Sequence, residues 1–95
     1  MSAPTAPRAP RGEPNRAAAE HLMNGYRSRL IALAWRSTCS REDAEDAFAR
    51  TVELTLRSCP IEGDMAQVER WAVVVCRREA WKIQRRNRRR PTIPR

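Results

Sequence analysis

An all-α fold is what this sequence predicts, as a three-helix bundle with a disordered tail in front and a basic helix end projecting behind. Apolar residues recur at steps of 3 and 4 in three separate stretches, and no segment alternates with the period of 2 that a half-buried strand requires. Clusters of Ser, Pro, Gly and Asp separate the stretches, as connections between helices do.

Residues 1–14, MSAPTAPRAPRGEP, hold no large apolar side chain after Met1 and so have no face to pack. They are expected to form a disordered Pro/Ala-rich tail. Asn15 then stands as a candidate N-cap, and Leu22, Tyr26, Leu30, Leu33 and Ala34 follow at steps of 4, 4, 3 and 1. That is the stripe of one amphipathic helix over residues 16–37. Gly25 weakens this helix by about 1 kcal/mol relative to Ala without ending it.

The second helix opens at Ser40, whose hydroxyl fits the N-cap position. Glu42, Asp43, Glu45 and Asp46 then set four carboxylates against the positive end of the helix dipole. Ala44, Ala47, Phe48, Thr51 and Val52 share one inward face of mostly small residues, and Pro60 stops the helix because the residue before a proline is pushed out of the helical region. The string SCPIEGD at residues 58–64 is a loop. Asp64 offers the next N-cap, and Val68, Trp71, Ala72, Val75, Cys76, Ala80 and Ile83 advance by 3, 1, 3, 1, 4 and 3. This third helix runs to Pro91, about 25 residues or 38 Å at 1.5 Å per residue. Past Ile83 it has no apolar side chain left to bury, so that end projects from the body. The domain thus spans residues 15–91, with a basic tail at residues 92–95.

Ninety-five residues make one small domain, which excludes most multi-domain enzymes. Of its 39 hydrophobic residues 14 are Ala, so only 25 larger apolar side chains remain to build a core. The charge is segregated. From Arg77 to Arg95 nine basic residues face the single acid Glu79, a sum of +8, whereas residues 1–76 hold ten of each sign and sum to zero. A neutral body with a basic end is the footprint of a surface for a polyanion, nucleic acid before membrane. Eighteen of the 19 basic residues are Arg, which favours forked contacts to phosphate or carboxylate.

Catalysis finds little foothold, and no enzyme activity or cofactor is expected. His21 has no partner type at metal or triad spacing, and dipole complementarity already explains the four carboxylates of the second helix. Cys39, Cys59 and Cys76 are far apart without a C-x-x-C pair, so neither a disulfide framework nor a zinc site has support. The Pro-punctuated N-terminus lacks the apolar run of a secretory signal, and no apolar stretch approaches a membrane span. A cytoplasmic protein without a membrane partner is expected.

Three strings in order carry a family likeness: Ser40-Arg41-Glu42-Asp43-Ala44-Glu45-Asp46, then after the Pro/Gly loop Glu69-Arg70-Trp71-Ala72-Val73-Val74-Val75-Cys76-Arg77, then Arg85-Arg86-Asn87-Arg88-Arg89-Arg90-Pro91. Together they resemble region 2 of the bacterial sigma-70 family, in its small extracytoplasmic-function type. The second helix of that family opens with a D-A-E-D-like string, and the helix after the loop carries W-L-x-R-I-A-x-N before a basic run. The likeness covers about residues 20–91, and it lies in the order and spacing of several weak motifs.

The resemblance implies a module for transcription initiation. Its acidic helix would bind the clamp helices of the RNA polymerase β′ subunit, through Asp43, Glu45, Asp46, Arg50 and Glu53. Its loop and third helix would hold the non-template strand of the melted -10 promoter element, through Ile61, Arg77, Arg78, Trp81, Lys82, Arg85, Arg86, Arg88 and Arg89. Trp81 lies off the apolar stripe among arginines, placed either to stack on a base or to pack beneath Arg stems. The chain also departs from the family. Ala49-Arg50 replaces a polar pair that commonly touches β′, Arg78 stands where Asn is usual and Lys82 where Asp is frequent. The first change bears on the polymerase contact, and the last two imply altered or lost base-specific reading with stronger backbone attraction. The chain ends at Arg95 without the helix-turn-helix of region 4, so it would work with one promoter contact, borrow the second from a separate region 4 chain, or be a truncated form. Two other readings stay open. One is a sigma-like regulator that occupies the polymerase clamp or sequesters an anti-sigma factor, and the other is a non-specific Arg-rich nucleic-acid binder.

Overall fold

The computed structural model describes the backbone of residues 12–89 and the side chains of residues 14–87. The expected tail at residues 1–11, the side chains of Arg88 and Arg89, and the basic tail at residues 92–95 lie outside the described residues. Within them the chain is all helical. It forms α1 (Gly12–Gly25), α2 (Arg27–Trp35), α3 (Arg41–Ser58) and α4 (Met65–Arg89).

Four helices rather than three result because the expected 16–37 helix breaks at Tyr26, whose backbone (φ -131°, ψ 5°) leaves the helical region beside Gly25. The Tyr26 N–H still donates to the Leu22 carbonyl and its own carbonyl accepts from the Leu30 N–H, both at 3.1 Å. The break is therefore a kink, not a loop, and it re-aims α2 across the bundle. The start of α1 also differs from expectation. The helix begins at Gly12, so residues 12–14 of the expected tail are helical and Asn15 is not a cap. Asn15 is instead buried, and its Nδ2 donates to the Leu56 carbonyl at the end of α3 (3.1 Å).

The other helix ends follow their residues. Ser40 Oγ accepts from the Asp43 N–H (3.1 Å), and Asp64 Oδ1 accepts from the Gln67 N–H (3.2 Å). At the end of α2 the N–H groups of Arg36, Ser37 and Thr38 bond three residues back, and Thr38 Oγ1 donates to the Ala34 carbonyl (3.0 Å). In the α3–α4 loop Gly63 takes φ +81°, the left-handed region that side chains disfavour.

The core gathers the apolar stripes as their spacing requires. Leu22, Leu30, Val68, Ala72, Cys76 and Ala80 are fully buried. Tyr26, Leu33 and Trp71 pack against this core while half-exposed. Thr51 and Thr55 are also fully buried, each hydroxyl donating at 2.7 Å to the carbonyl four residues back, which satisfies them inside an apolar layer. α3 packs against every other helix and runs antiparallel to α4, since Asp43 meets Asn87 while Arg50 meets Glu79. Of the cysteines, Cys59 and Cys76 are buried and Cys39 is exposed.

The two glycines with described surroundings should respond in opposite ways. A Cβ at Gly25 meets nothing within 4 Å and no left-handed φ, so Gly25→Ala should stabilise by about 0.5–1 kcal/mol. Gly63→Ala forces a side chain into the left-handed region and should destabilise by about 1 kcal/mol. Urea unfolding followed by circular dichroism measures both.

Candidate functional site

At 3.6 residues per turn, Arg70, Val74, Arg77, Arg78, Trp81 and Arg85 fall on one side of α4, opposite its buried stripe. From Arg70 to Arg85 this outward face is about 22 Å long. Val74 is 60% and Trp81 56% exposed, the two large apolar side chains on the face. The Arg85 guanidinium carbon lies 4.9 Å from the centroid of the Trp81 ring, as the i, i+4 spacing allows. No ion pair involves Arg70, Arg77, Arg78 or Arg85 among the described residues, so these cations remain open to a partner.

Lys82 and Arg86 turn away from that face. They line a groove between α3 and α4 with Asp46, Ala49, Arg50 and Glu53. At its base lies Glu79, only 5% exposed. Its Oε1 stands 3.6 Å from Arg50 Nε and its Oε2 3.2 Å from Lys82 Nζ, while Arg50 Nη1 donates to Glu53 Oε1 at 3.0 Å. A carboxylate removed from water needs such partners. Arg50 and Lys82, expected on different partner surfaces, are thus tied to one counter-ion. Sequence reading missed this role for Glu79. The signal was its position on the apolar stripe, four residues after Val75 and three after Cys76.

Of the expected polymerase-binding residues, Asp46, Arg50 and Glu53 line the α3–α4 groove together, and Asp43 and Glu45 are engaged beside it. Asp43 is half-buried, and its Oδ2 accepts from Asn87 Nδ2 (3.0 Å). Glu45 accepts from Arg41 Nε (3.2 Å), and Arg50 and Glu53 belong to the Glu79 network. Asp46 is exposed and borders the grooves on both sides of α3. The second of these grooves opens between α3 and α1/α2. Its rim carries Glu42, Glu45 and Asp46, and Met23, Phe48 and Val52 lie beneath, with Arg27 stacked 5.5 Å over the Phe48 ring. Met23 and Arg27 were missed as site residues because α1 and α2 meet the middle of α3 only in space, and Glu42, within the acidic string of α3, was not among the expected contacts.

Ile61, expected to touch DNA, is half-buried and packs against the core. Its carbonyl accepts a weak bond from Cys59 Sγ at 3.7 Å. His21, which has no partner at metal or triad spacing in the sequence, is half-buried and bridges α1 to α4 through Glu69 Oε2 at 2.6 Å. Burial pushes the Cys76 thiol up from its ordinary range, and its Sγ–H donates to the Leu30 carbonyl (3.6 Å). That is a packing cysteine rather than a nucleophile. Among the described residues no cluster of three His, Cys, Asp or Glu could hold a metal ion, and no helix is long and apolar enough to cross a membrane.

Comparison with protein-family models, curated proteins and solved structures gives no significant match to this chain.

The shared counter-ion makes a non-additive prediction. Arg50→Ala or Lys82→Ala alone leaves Glu79 one cation, whereas the double variant strips both. In urea unfolding the double variant should lose about 1 kcal/mol more than the sum of the singles. Strict additivity would mean that Glu79 does not couple them.

Proposed function

We propose that this chain is a region 2-like module of a sigma factor, acting in transcription initiation by binding RNA polymerase core and an unpaired promoter strand. The observation that carries the reading is the separation of charge over two sides of one small bundle. The outer face of α4 holds Arg70, Arg77, Arg78 and Arg85 around Trp81 with no exposed carboxylate among the described residues, and the α3 rim carries Glu42, Glu45 and Asp46 over an apolar floor.

Each side suits one class of partner. Guanidinium forks contact phosphate oxygens at two points, and an exposed indole offers a stacking platform that duplex DNA cannot reach but an unpaired base can. A rim of carboxylates over Met23, Phe48 and Val52 suits a cationic protein helix with an apolar anchor. The order of the acidic string, the loop, the Trp71 string and the basic run supports assigning these partners to polymerase and the -10 strand. Because Asp43 and Arg50 are engaged within the bundle, Asp46 with its neighbours Glu42 and Glu45 carries the polymerase contact in this reading.

Retention of RNA polymerase core by the immobilised protein tests the reading. The chain should retain core at moderate salt, Asp46→Arg should abolish retention, and Arg77→Ala/Arg78→Ala should preserve it while weakening binding to forked -10 DNA. Absence of core retention together with equal affinity for unrelated single strands would overturn it in favour of a non-specific nucleic-acid binder.

A further inference from the structure

The helix beside α4 continues its basic face. α2 contains no carboxylate. It runs parallel to α4, since Cys76 Sγ meets the Leu30 carbonyl at 3.6 Å and, further along both segments, Cys39 Sγ meets Gln84 at 3.5 Å. These two contacts set the levels, with Arg29 beside the turn of Cys76 and Arg77, and Arg36 beside that of Trp81.

The faces are fixed in the same way. Leu30, Ile31 and Ala34 are the buried side of α2, and Arg27 turns toward α3 over Phe48. Tyr26 and Leu33 therefore occupy the opposite flank, next to α4, and Arg29 and Arg36 lie on its outer side, seven residues or about 10 Å apart. Packed helix axes are separated by about 8–10 Å, so the two arginine columns are neighbours. The Arg29 guanidinium carbon sits 5.7 Å from the centroid of the Tyr26 ring, and among the described residues neither Arg29 nor Arg36 joins an ion pair.

We propose that α2 and α4 form one continuous face for an unpaired nucleic-acid strand, in which Arg29 and Arg36 contact phosphates alongside the α4 stripe. This rests on the reading of α4 as a nucleic-acid surface and widens it to an element that motif reading left out. Arg29, Arg36, Arg70, Arg77, Arg78 and Arg85 set six cations on the joint face, with no exposed carboxylate from α2 or from the described part of α4 beyond Arg70. An unpaired strand fits better than an anionic membrane. The joint face exposes only Val74 and Trp81 as large apolar side chains, whereas a helix lying in a membrane needs a broad apolar face to bury. Guanidinium planes laid on Tyr26 and Trp81 extend flat surfaces that stack on bases as well as meeting phosphates.

Fluorescence anisotropy of the full chain with a labelled single-stranded oligonucleotide, across a salt series, tests the inference. Each phosphate contact on a single strand contributes about 0.7 to the slope of log affinity against log salt. Arg29→Ala/Arg36→Ala should flatten the slope by about 1.4. Arg29→Lys/Arg36→Lys should retain it, and Arg16→Ala/Arg57→Ala, exposed arginines off this face, should leave it unchanged. Circular dichroism checks the helix, and Arg29→Gln/Arg36→Gln reads the same slope if the alanine pair unfolds. A wild-type slope in Arg29→Ala/Arg36→Ala with a loss in Arg77→Ala/Arg85→Ala overturns the role of α2 and leaves the α4 reading standing. Wild-type slopes in both overturn the two together. Binding of phosphatidylglycerol vesicles that depends on Arg29 and Arg36, without oligonucleotide binding, overturns the proposal in favour of a membrane.

Discussion

The close approach of four helices around alanine is the constraint on which this structure depends. Ala18, Ala19, Ala34, Ala44, Ala47, Ala72 and Ala80 are all 0–1% exposed, so each of the four helices sets at least one methyl group on its inner face. Small side chains bring axes together and leave little room for large ones. Leu22, Leu30, Phe48 and Val68 fill what remains, each contributing about 1.5–3 kcal/mol by burial. Of the exposed large apolar side chains, Met23 then lines the groove under the acidic rim, and Val74 and Trp81 lie on the basic face. They are available to partners because the core has no space for them.

The same tight packing sorts the charges. α3 touches every other helix, so its polar residues are confined to two flanks and a narrow outer strip. One flank looks onto α1 and α2 and carries the acidic rim, and the other looks onto α4 and carries Arg50, within reach of Glu79. Glu79 is the one carboxylate in the basic half of α4, and its burial removes it from the outer face. With that acid neutralised at the α3 seam by Arg50 and Lys82, the outward arginines of α4 act without a competing internal anion. The cost is that Lys82 is drawn toward the seam and away from the Trp81 face.

Much of the fold was legible in the sequence because period and punctuation were strong. The α3 and α4 stripes fell inside at nearly every named position, and Ser40 and Asp64 cap as their residue types require. The break at Tyr26 was not legible. A single glycine in a periodic stretch is compatible with a straight or a kinked helix, and only packing against α3 and α4 decides. Asn15 misled for a similar reason, since its side chain serves a cap or a distant carbonyl equally well, and Leu56 is 41 residues away. At the candidate site, spacing placed Trp81 off the apolar stripe among arginines, and the family likeness named Arg77, Arg78 and Arg85 with it, together with Lys82 and Arg86. The division of Lys82 and Arg86 from them, and the internal engagement of Asp43, Arg50 and Glu53, depend on which helix lies alongside. No spacing rule within one helix reports that. Arg29 and Arg36 escaped notice because two arginines in a short apolar helix make no motif until α2 is laid parallel to α4.

In the proposed complex one side of this bundle takes an unpaired nucleic-acid strand while the acidic rim of α3 stays free for a protein. Nuclear magnetic resonance of the isotope-labelled chain, titrated with an unpaired -10 strand, tests it most directly. The account predicts that the amide signals of Arg29, Arg36, Arg70, Val74 and Arg77 and the indole N–H of Trp81 move together, and that those of Glu42, Glu45 and Asp46 stay in place. Shifts centred on the α3 rim, or spread evenly over every exposed arginine including Arg16 and Arg57, would contradict it.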